Sequence, residues 1–477
     1  MTPEEFRQHG YALVDWVAGY WSRLEDQRVT SGNPPGTAAA ALPGGPPQDG
    51  DGFAGLLDDL DRIVVPNLTH WQHPGFFAYF PANTSGPSVL ADLVCAGLGV
   101  QGMLWSTGPA CTEVETVVLD WLAELLDLPD RFRSTGAGGL AQGGGVIQGG
   151  GVIQDSASSA TLVATLAALH RAGGDRWRRG GVDGRYAVYT STQGHSSIEK
   201  AARVAGLGDD SVRLIDVDKA YAMRPDALRA AIAADLAAGA VPALVVATVG
   251  TTSTTAVDPL AEIGEVCREY GVWLHVDAAY AGSAAVCPEL RWVHSGLGYA
   301  DSYCFDPHKW LLTGFDCDAF WVADRAGLIQ ALSVLPEYLR NAATESGAVI
   351  DYRDWHVPLG RRFRALKLWF VLRWYGAEGL RAHIRSGVSL ADRFAAWVEA
   401  DERFEIVAPH PFSLVCFRLR GPDEPNEELL RRVNATGQAY LTHTRVGGRY
   451  VLRLAIGSPW TQERHVAAVW ELIRAQL

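Results

Sequence analysis

Between about residues 86 and 376, short apolar segments alternate with longer segments that have a helical pattern. The apolar segments include residues 186–190, 243–248 and 272–277, and the helical ones include residues 114–126 and 160–171. Strands that are apolar throughout are typically buried on both faces, with helices carrying the chain from one parallel strand to the next. The alternation therefore predicts an α/β fold with a doubly wound, mainly parallel sheet.

The two ends of the chain follow different patterns. Residues 3–28 have the apolar spacing of an amphipathic helix, and the Pro/Gly/Ala-rich residues 31–52 predict an extended segment. After Gly376, helical patterns at 380–400, 426–436 and 463–477 alternate with strands at 414–419 and 450–455. We therefore predict an N-terminal helical extension (1–85), a large domain (86–376) and a small C-terminal α+β domain (377–477).

Lys309 stands in an apolar frame that runs from Phe305 to Leu312. Burial lowers the pKa of a lysine, which makes the free amine available for attack on a carbonyl near neutral pH. Alternatively, Lys309 is a surface residue whose stem packs on Trp310 while its ammonium reaches water. The local sequence leaves both interpretations open.

Asp277 ends the predicted strand 272–277 and precedes a turn of small residues. Carboxylates at the ends of parallel strands point into the crevice where α/β sheets bind ligands. A lysine and an acid are what pyridoxal phosphate (PLP) requires, because the lysine holds its aldehyde as a Schiff base and the acid keeps its pyridine nitrogen protonated. The alternative for Asp277 is an ordinary helix N-cap.

Six ordered blocks carry a longer resemblance, and they lie at residues 73–81, 109–113, 151–154, 275–283, 307–310 and 358–364. Together they resemble the group II PLP-dependent amino acid decarboxylases, most closely the aromatic-L-amino-acid decarboxylase branch. The resemblance spans nearly the whole chain apart from about residues 30–50. It implies a type I aminotransferase-like fold with a seven-stranded-type sheet, and a homodimer whose active site lies at the interface and whose N-terminal helix packs on the partner.

The resemblance places the cofactor phosphate at Ser156, Ala157 and Ser158, where a helix N-terminus offers an anion site, although such serines are also plain N-caps. The GGGVIQ sequence occurs twice, at 143–148 and 149–154, and we assign the second copy to the site because the serines follow it. Asp155 stands where glycine is common. Asp306 stands where an asparagine often reaches the phosphate, so we expect only a weak backbone or capping contact from it.

The remaining cofactor contacts implied by the resemblance surround the ring. His195 would stack on one face of the ring, Ala279 would cover the other, and Thr248 would lie near the ring hydroxyl. His308 would contact the phosphate or the substrate carboxylate. The alternatives are a solvated loop histidine for His195 and a core hydrogen-bonding partner for His308.

The implied reaction is decarboxylation of an amino acid held on the cofactor, with Lys309, Asp277, His195 and Tyr338 as the catalytic residues. Tyr338 matches a tyrosine on a closing loop that is associated with protonation of Cα, and residues 341–347 would form the lid. A phenylalanine in place of that tyrosine, or an asparagine in place of the histidine, marks relatives that produce aldehydes. Tyr338 and His195 therefore favour the amine product.

The substrate pocket implied by the resemblance is apolar and is formed by Trp71, Tyr79, Phe80, Pro81, Gln101, Met103 and Gly360. Glycine at position 360 matches plant enzymes with indolic substrates, so tryptophan or hydroxytryptophan is the leading prediction. Tyrosine, DOPA and phenylalanine come next, and histidine is a further alternative. Ala82, Gln101 and Met103 replace residues that are commonly Thr, Ile and Phe in animal relatives.

Composition limits the other function classes. A net charge of -13 disfavours nucleic acid and anionic membranes as partners, and the N-terminus lacks the apolar core of a signal peptide. Seven cysteines without a CxxC pair predict reduced thiols in the cytoplasm, and no metal is predicted. Residues 50–55 fit GxGxxG, but no strand precedes them, so we interpret them as linker; a Rossmann dehydrogenase is kept as a further alternative. An aldehyde synthase and a non-enzymatic scaffold stay open as alternatives.

Overall fold

Seven strands form the larger of two sheets in the computed structural model, which describes residues 1–50, 52–135, 149–182, 184–334 and 349–477. These strands are β1 (Gly150–Gln154), β2 (Tyr186–Ser191), β3 (Val212–Ile215), β4 (Val241–Thr248), β5 (Trp273–Asp277), β6 (Ser302–Phe305) and β7 (Asp318–Val322). Their order across the sheet is β1-β7-β6-β5-β4-β2-β3. Most of them are buried along their whole length, as the continuous apolar segments predicted.

The sheet is parallel except at one strand. The strands β3, β2, β4, β5 and β6 are paired in parallel, whereas β7 runs antiparallel to both β6 and β1. The prediction of a mainly parallel α/β sheet is confirmed. Because β1 runs in the same direction as β6, the carboxyl ends of β1, β4, β5 and β6 meet at one edge.

Helices cover this sheet. They are α4 (Gly86–Leu98), α5 (Pro109–Leu125), α6 (Ala157–Gly173), α7 (Asp175–Gly180), α8 (Ser197–Val204), α9 (Pro225–Ala237), α10 (Leu260–Tyr270), α11 (Pro307–Trp310) and α12 (Arg325–Leu332), after α1 (Pro3–Ser22), α2 (Thr37–Ala41) and α3 (Phe53–Asp59) nearer the N-terminus. The central helix α6 packs on α8, on α12 and on the sheet, while α9 packs on α10. Small residues on α6, such as Ala160 and Ala164, are fully buried and allow this close packing.

A second, four-stranded sheet has the order β10-β11-β9-β8. It is formed by β8 (Phe404–Ile406), β9 (Leu414–Leu419), β10 (Thr442–Val446) and β11 (Arg449–Ala455), and it is accompanied by α13 (Ala365–Glu399), α14 (Glu424–Ala435) and α15 (Glu463–Ala475). The predicted strands at 414–419 and 450–455 are confirmed. Helix α13 starts well before the predicted residue 380, and its backbone is interrupted at Gly376, where φ is 62°.

The chain divides into two compact units rather than three segments. The first unit contains Met1–Pro81, Leu390–Val407 and Val415–Leu477, and the second contains Ala82–Ser389 and Ala408–Leu414. The N-terminal residues join the C-terminal ones because Phe77 lies in the apolar core of the four-stranded sheet, and its backbone N–H donates to Tyr440 O at 2.9 Å. The predicted boundaries at 85 and 376 could not anticipate this long-range packing.

Two local predictions near the N-terminus need correction. Helix α1 ends at Ser22 rather than Arg28, because the backbone beyond it bonds elsewhere, with Val29 N donating to Gly437 O at 2.7 Å. The segment 31–52 was predicted to be extended, but it contains the short helix α2, whose four alanines have the highest helix propensity.

Candidate active site

The carboxyl edge of the large sheet gathers most of the predicted cofactor residues. Thr248 ends β4 and is the register partner of Asp277, which ends β5. Asp306 follows β6, and Ser156 follows β1 after one residue. This edge is where open α/β sheets bind ligands, so the topology brings separate parts of the sequence to one site.

Lys309 forms an ion pair at this edge. Its Nζ lies 2.7 Å from Asp306 Oδ2, and the Asp306 side chain is 2% exposed. Burial lowers the pKa of Lys309, but the charge of Asp306 outweighs it and the net pKa is raised. The expectation of a lowered lysine pKa is therefore wrong for the chain alone, because the sequence did not reveal the carboxylate partner.

Asp277 is buried beside this pair. Its Oδ1 accepts the N–H of Ala279 at 3.0 Å. Burial raises the pKa of Asp277, while Lys309 acts against this rise. Asp277 does not cap the following 3-10 helix Ala281–Val286, whose N-cap is Tyr280. A buried acid at the end of a strand fits the pyridine nitrogen of PLP.

Thr248 and His195 complete the surroundings of Asp277. Thr248 Oγ1 is buried and has no hydrogen-bond partner among the described residues, which fits a donor to a ring hydroxyl. His195 is exposed in this chain, and its Nδ1 lies 2.9 Å from Ser197 Oγ. Burial lowers the pKa of His195, with the nearby Asp277 acting in the opposite direction.

The residues predicted to bind the phosphate lie at the N-terminus of α6, and that role stays a prediction. Ser156 is the N-cap of this helix and accepts the N–H of Ser159 at 3.4 Å, while Ser158 is exposed. The N–H of Ala157 donates to Asp306 Oδ1 at 3.1 Å. Asp306 therefore caps the first turn of α6 through its side chain, which agrees with the capping alternative, while its contact with the cofactor stays a prediction. Asp155 does not cap α6; it accepts from Ser156 Oγ at 3.4 Å.

His308 is a buried hydrogen-bonding residue in this chain. Its Nδ1 lies 2.8 Å from Cys317 O, and its Nε2 lies 3.7 Å from Asp306 Oδ2. Burial lowers its pKa, although Asp306 raises it in part. The core alternative fits these contacts, while a contact with phosphate or substrate stays a prediction.

Sequence reasoning missed two polar residues of this site. Asn83 donates from its backbone N–H to His308 O at 2.8 Å and from Nδ2 to Lys309 O, so it fixes the lysine backbone. Asp318 is fully buried as the first residue of β7. A carboxylate in the apolar run from Cys317 to Val322 was the available signal for Asp318.

A cavity of about 460 Å³ lies beside the carboxyl edge and is lined by Ile153, Gln154, Asp155, Ser159, Leu162, Val163, Asp316, His356, Val357, Pro358, Gly360 and Arg364. Gln101 lies next to Gly360, because Gln101 Oε1 accepts the N–H of Arg361 at 2.7 Å. A Cβ on Gly360 would lie 3.2 Å from Gln101 Nε2. Met103 is on the same segment, and its carbonyl accepts the N–H of Arg353 at 3.1 Å.

The other predicted pocket residues belong to the first compact unit. The rings of Trp71 and Tyr79 are stacked with centroids 5.6 Å apart, and Arg453 lies over Phe80 at 5.3 Å. Pro81 packs against Gly457. Their role as a pocket wall stays a prediction. Tyr338, the lid at 341–347 and the first GGGVIQ copy at 143–148 lie outside the described residues.

Comparison with known proteins decides the family. Residues 35–420 match the pyridoxal-dependent decarboxylase conserved domain. The chain belongs to this family. It is 44% identical to tryptophan decarboxylase 2 of Oryza sativa subsp. japonica, over 99% of this chain and 95% of the relative. It is also 44% identical to the aromatic-L-amino-acid decarboxylase of Rattus norvegicus, over 99% of this chain and 98% of the relative.

Solved structures agree with this assignment. The crystal structure of Oryza sativa TDC with PLP and tryptamine matches with a TM-score of 0.94 and 41% identity, over 100% of this chain and 98% of that one. The tryptophan decarboxylase of Catharanthus roseus in complex with L-tryptophan matches with a TM-score of 0.92 and 41% identity, over the same shares of the two chains. The protein is thus a PLP-dependent carboxy-lyase of the aromatic-L-amino-acid decarboxylase branch with a type I PLP fold.

The residues present fit the cofactor of this family. Lys309 offers the amine, Asp277 the buried acid, Thr248 an unpaired hydroxyl and α6 a helix N-terminus. Among the described residues, no helix is both long and apolar enough to cross a bilayer. Cytoplasmic localisation stays a prediction.

Proposed function

We propose that this decarboxylase acts on tryptophan or hydroxytryptophan and releases the arylalkylamine and CO2. The observation that supports this choice is the missing side chain at Gly360, beside the cavity and the Gln101 amide. A flat bicyclic ring needs more room than a phenol, and glycine is the smallest residue that can border it. The tryptophan decarboxylases among the relatives are consistent with this proposal.

The proposed roles of the residues follow from their positions. The cofactor supplies the electron sink for the bond to the departing carboxylate. Lys309 holds the cofactor covalently, and Asp277 keeps a proton on the pyridine nitrogen. His195 presents its ring to one face of the cofactor ring, while Ala279 leaves room at the other. The N-terminus of α6, with Ser156 and Ala157, binds the phosphate.

Tyr338 is proposed to deliver the proton to the substrate Cα once CO2 has left. The second candidate function is an aldehyde synthase, and it is favoured by one observation: the phenylacetaldehyde synthase of Arabidopsis thaliana is also 44% identical to this chain, over 100% of this chain and 96% of the relative. We favour the amine product because Tyr338 and His195 are the residues associated with simple decarboxylation.

We also propose that the active enzyme is a homodimer. Helix α1 buries none of its residues in this chain, and Phe6, Leu13 and Val14 on it are exposed. Helix α4 separately exposes Leu90, Leu93, Val94 and Leu98. Apolar faces of this kind are typical of surfaces covered by a partner. Light scattering coupled to gel filtration should give about twice the chain mass of 51.5 kDa.

The function is tested by assaying PLP-loaded protein with tryptophan, 5-hydroxytryptophan, tyrosine, DOPA, phenylalanine and histidine. Amine, CO2, aldehyde and hydrogen peroxide are measured in the same reactions. We expect the highest kcat/KM with an indolic substrate, amine equal to CO2, and no peroxide. Peroxide equal to CO2 would identify an aldehyde synthase, and a preference for tyrosine or DOPA would refute the role of Gly360.

A further inference from the structure

Two buried carboxyl groups, Asp306 and Asp318, lie at opposed positions where strand β6 ends and strand β7 begins. Strands β6 and β7 are antiparallel with Phe305 opposite Ala319, so the next positions in this register are Asp306 and Asp318. Their side chains are 2% and 0% exposed. Side chains at directly opposed positions of antiparallel strands lie on the same face, so this register places the two carboxyl groups side by side.

The two carboxyls have different surroundings. Asp306 has strong partners, because Oδ2 contacts Lys309 Nζ at 2.7 Å and Oδ1 accepts the Ala157 N–H at 3.1 Å. Neither oxygen of Asp318 accepts a hydrogen bond from any group in the described ranges. A buried carboxylate without donors is costly, whereas a carboxylic acid in the same place can donate its proton to Asp306.

The charges around the pair explain which member keeps the proton. Burial raises the pKa of Asp318 well above its ordinary value, and the charge of Asp306 adds to this rise. Burial also acts on Asp306, but Lys309 and His308 outweigh it and lower its pKa. The titratable groups that interact electrostatically with the pair are Lys309, His308, Asp277, His195, Cys304, Cys317 and Tyr303.

The position of Asp306 creates a conflict with the cofactor. Its Oδ1 occupies the N–H of Ala157, the first residue of α6, which is the donor that a phosphate at this helix N-terminus would use. An ionised Asp306 next to a phosphate dianion would weaken binding. A proton accepted by Asp306 removes this repulsion and frees the Ala157 N–H.

We propose that Asp306 and Asp318 form a proton-holding pair, with one shared proton in the cofactor-free chain and a second proton taken up when the cofactor phosphate binds at Ala157. Both residues are then positioning residues, since they act on the phosphate through proton occupancy and through the Ala157 N–H. The inference depends on the cofactor, and it is independent of which amino acid is the substrate.

The test uses cofactor-free protein and 4-deoxypyridoxine 5′-phosphate, which has the ring and the phosphate but no aldehyde, so that attachment to Lys309 does not contribute. Calorimetric titrations in buffers of different ionisation enthalpy give the number of protons taken up per chain. They are made at about pH 7.5, where the second phosphate proton, with a pKa of about 6, is almost entirely lost. Any proton taken up by the ring nitrogen beside Asp277 is common to the unchanged protein and all variants, so it cancels when their proton uptakes are compared.

Two isosteric variants have different expected outcomes. Asp306→Asn removes the charge and the group that takes up the second proton, so proton uptake falls by at least about half a proton per chain and affinity rises about tenfold. Asp318→Asn keeps a neutral donor beside Asp306, as the protonated acid does, so Asp306 still takes up its proton, and both proton uptake and affinity stay close to those of the unchanged protein. The affinity of the unchanged protein should weaken as the pH rises from about 7 to about 8.5.

Thermal unfolding of both variants checks that they are folded. Equal proton uptake in the unchanged protein and in Asp306→Asn would overturn the proposal. So would a loss of affinity in both variants with unchanged uptake, because that result indicates only a structural role. A failure of the decarboxylase assay leaves these binding measurements unaffected, so the two proposals fail separately.

Discussion

The buried ion pair between Glu115 and Arg361 joins helix α5 to the segment that carries Gly360. We expect it to make a large electrostatic contribution to the free energy of unfolding. Arg361 Nη2 lies 2.5 Å from Glu115 Oε1, and both side chains are 2% exposed. Glu115 Oε1 also accepts the N–H of Ile153 at 2.8 Å, next to the end of β1. Glu115→Gln keeps the shape of the side chain but leaves the arginine charge without its counter-ion.

The expected cost follows from these contacts. Removing one partner of a buried pair typically costs about 3–5 kcal/mol of the free energy of unfolding. Arg361 retains a hydrogen bond to Ile153 O at 3.1 Å and a place over the Tyr352 ring at 4.7 Å. We therefore expect Glu115→Gln to lower the free energy of unfolding by about 3 kcal/mol, the lower end of that range.

Urea unfolding followed by tryptophan fluorescence measures this cost, and the matched control is Glu124→Gln on the same helix. Glu124 is 75% exposed and lies 3.9 Å from Arg133, so its loss should cost about 0.5 kcal/mol or less. A Glu115→Gln variant that unfolds within about 1 kcal/mol of the control would refute the reasoning. Refolding of both variants must be checked so that the midpoints report equilibrium.

Three further outcomes are expected. Lys309→Ala should lose both decarboxylation and the borohydride-trapped cofactor adduct seen by mass spectrometry, while Lys309→Arg, which keeps the charge beside Asp306, should lose them equally. Gly360→Ser should lower the ratio of kcat/KM for tryptophan to that for tyrosine by about tenfold, because the added side chain takes room that the indole needs and a misfit of that size is worth about 1–3 kcal/mol; an unchanged ratio would contradict the pocket assignment. Glu25 on the N-terminal segment pairs with Arg464 and His465, and the hydrogen bond from Arg464 lowers the Glu25 pKa to about 2. The stabilising effect of ionised Glu25 should be present above about pH 4.5 and decline as the pH falls towards about 2. Thermal unfolding of the protein and of Glu25→Gln should therefore show a stability difference of no more than about 1 kcal/mol at pH 7 and a smaller one at pH 3.5.

The sequence predicted those site residues that end a strand or lie in a motif. Thr248, Asp277 and Lys309 each follow an apolar segment, and parallel strands place such ends together. The direction of the Lys309 pKa shift was not predictable, because it depends on the 2.7 Å contact between Lys309 Nζ and Asp306 Oδ2.

The missed features depend on contacts between residues far apart in the chain. Asp318 enters the site because β7 is antiparallel, so its first residue lies where the other strands have their last. The grouping of residues 1–81 with the C-terminal sheet depends on contacts such as that of Phe77 with Tyr440. Neither periodicity nor local composition carries information on such pairing.

The same grouping has a consequence for synthesis on the ribosome. The second compact unit is almost continuous in the chain, from Ala82 to Ser389, so it can begin to fold while translation continues. The first unit cannot, because Phe77 needs core neighbours such as Leu452 and Trp470. Until helix α15 has emerged from the ribosome, the apolar N-terminal residues of the first unit are exposed to chaperones and proteases. In a chain truncated before α15, these residues would stay exposed.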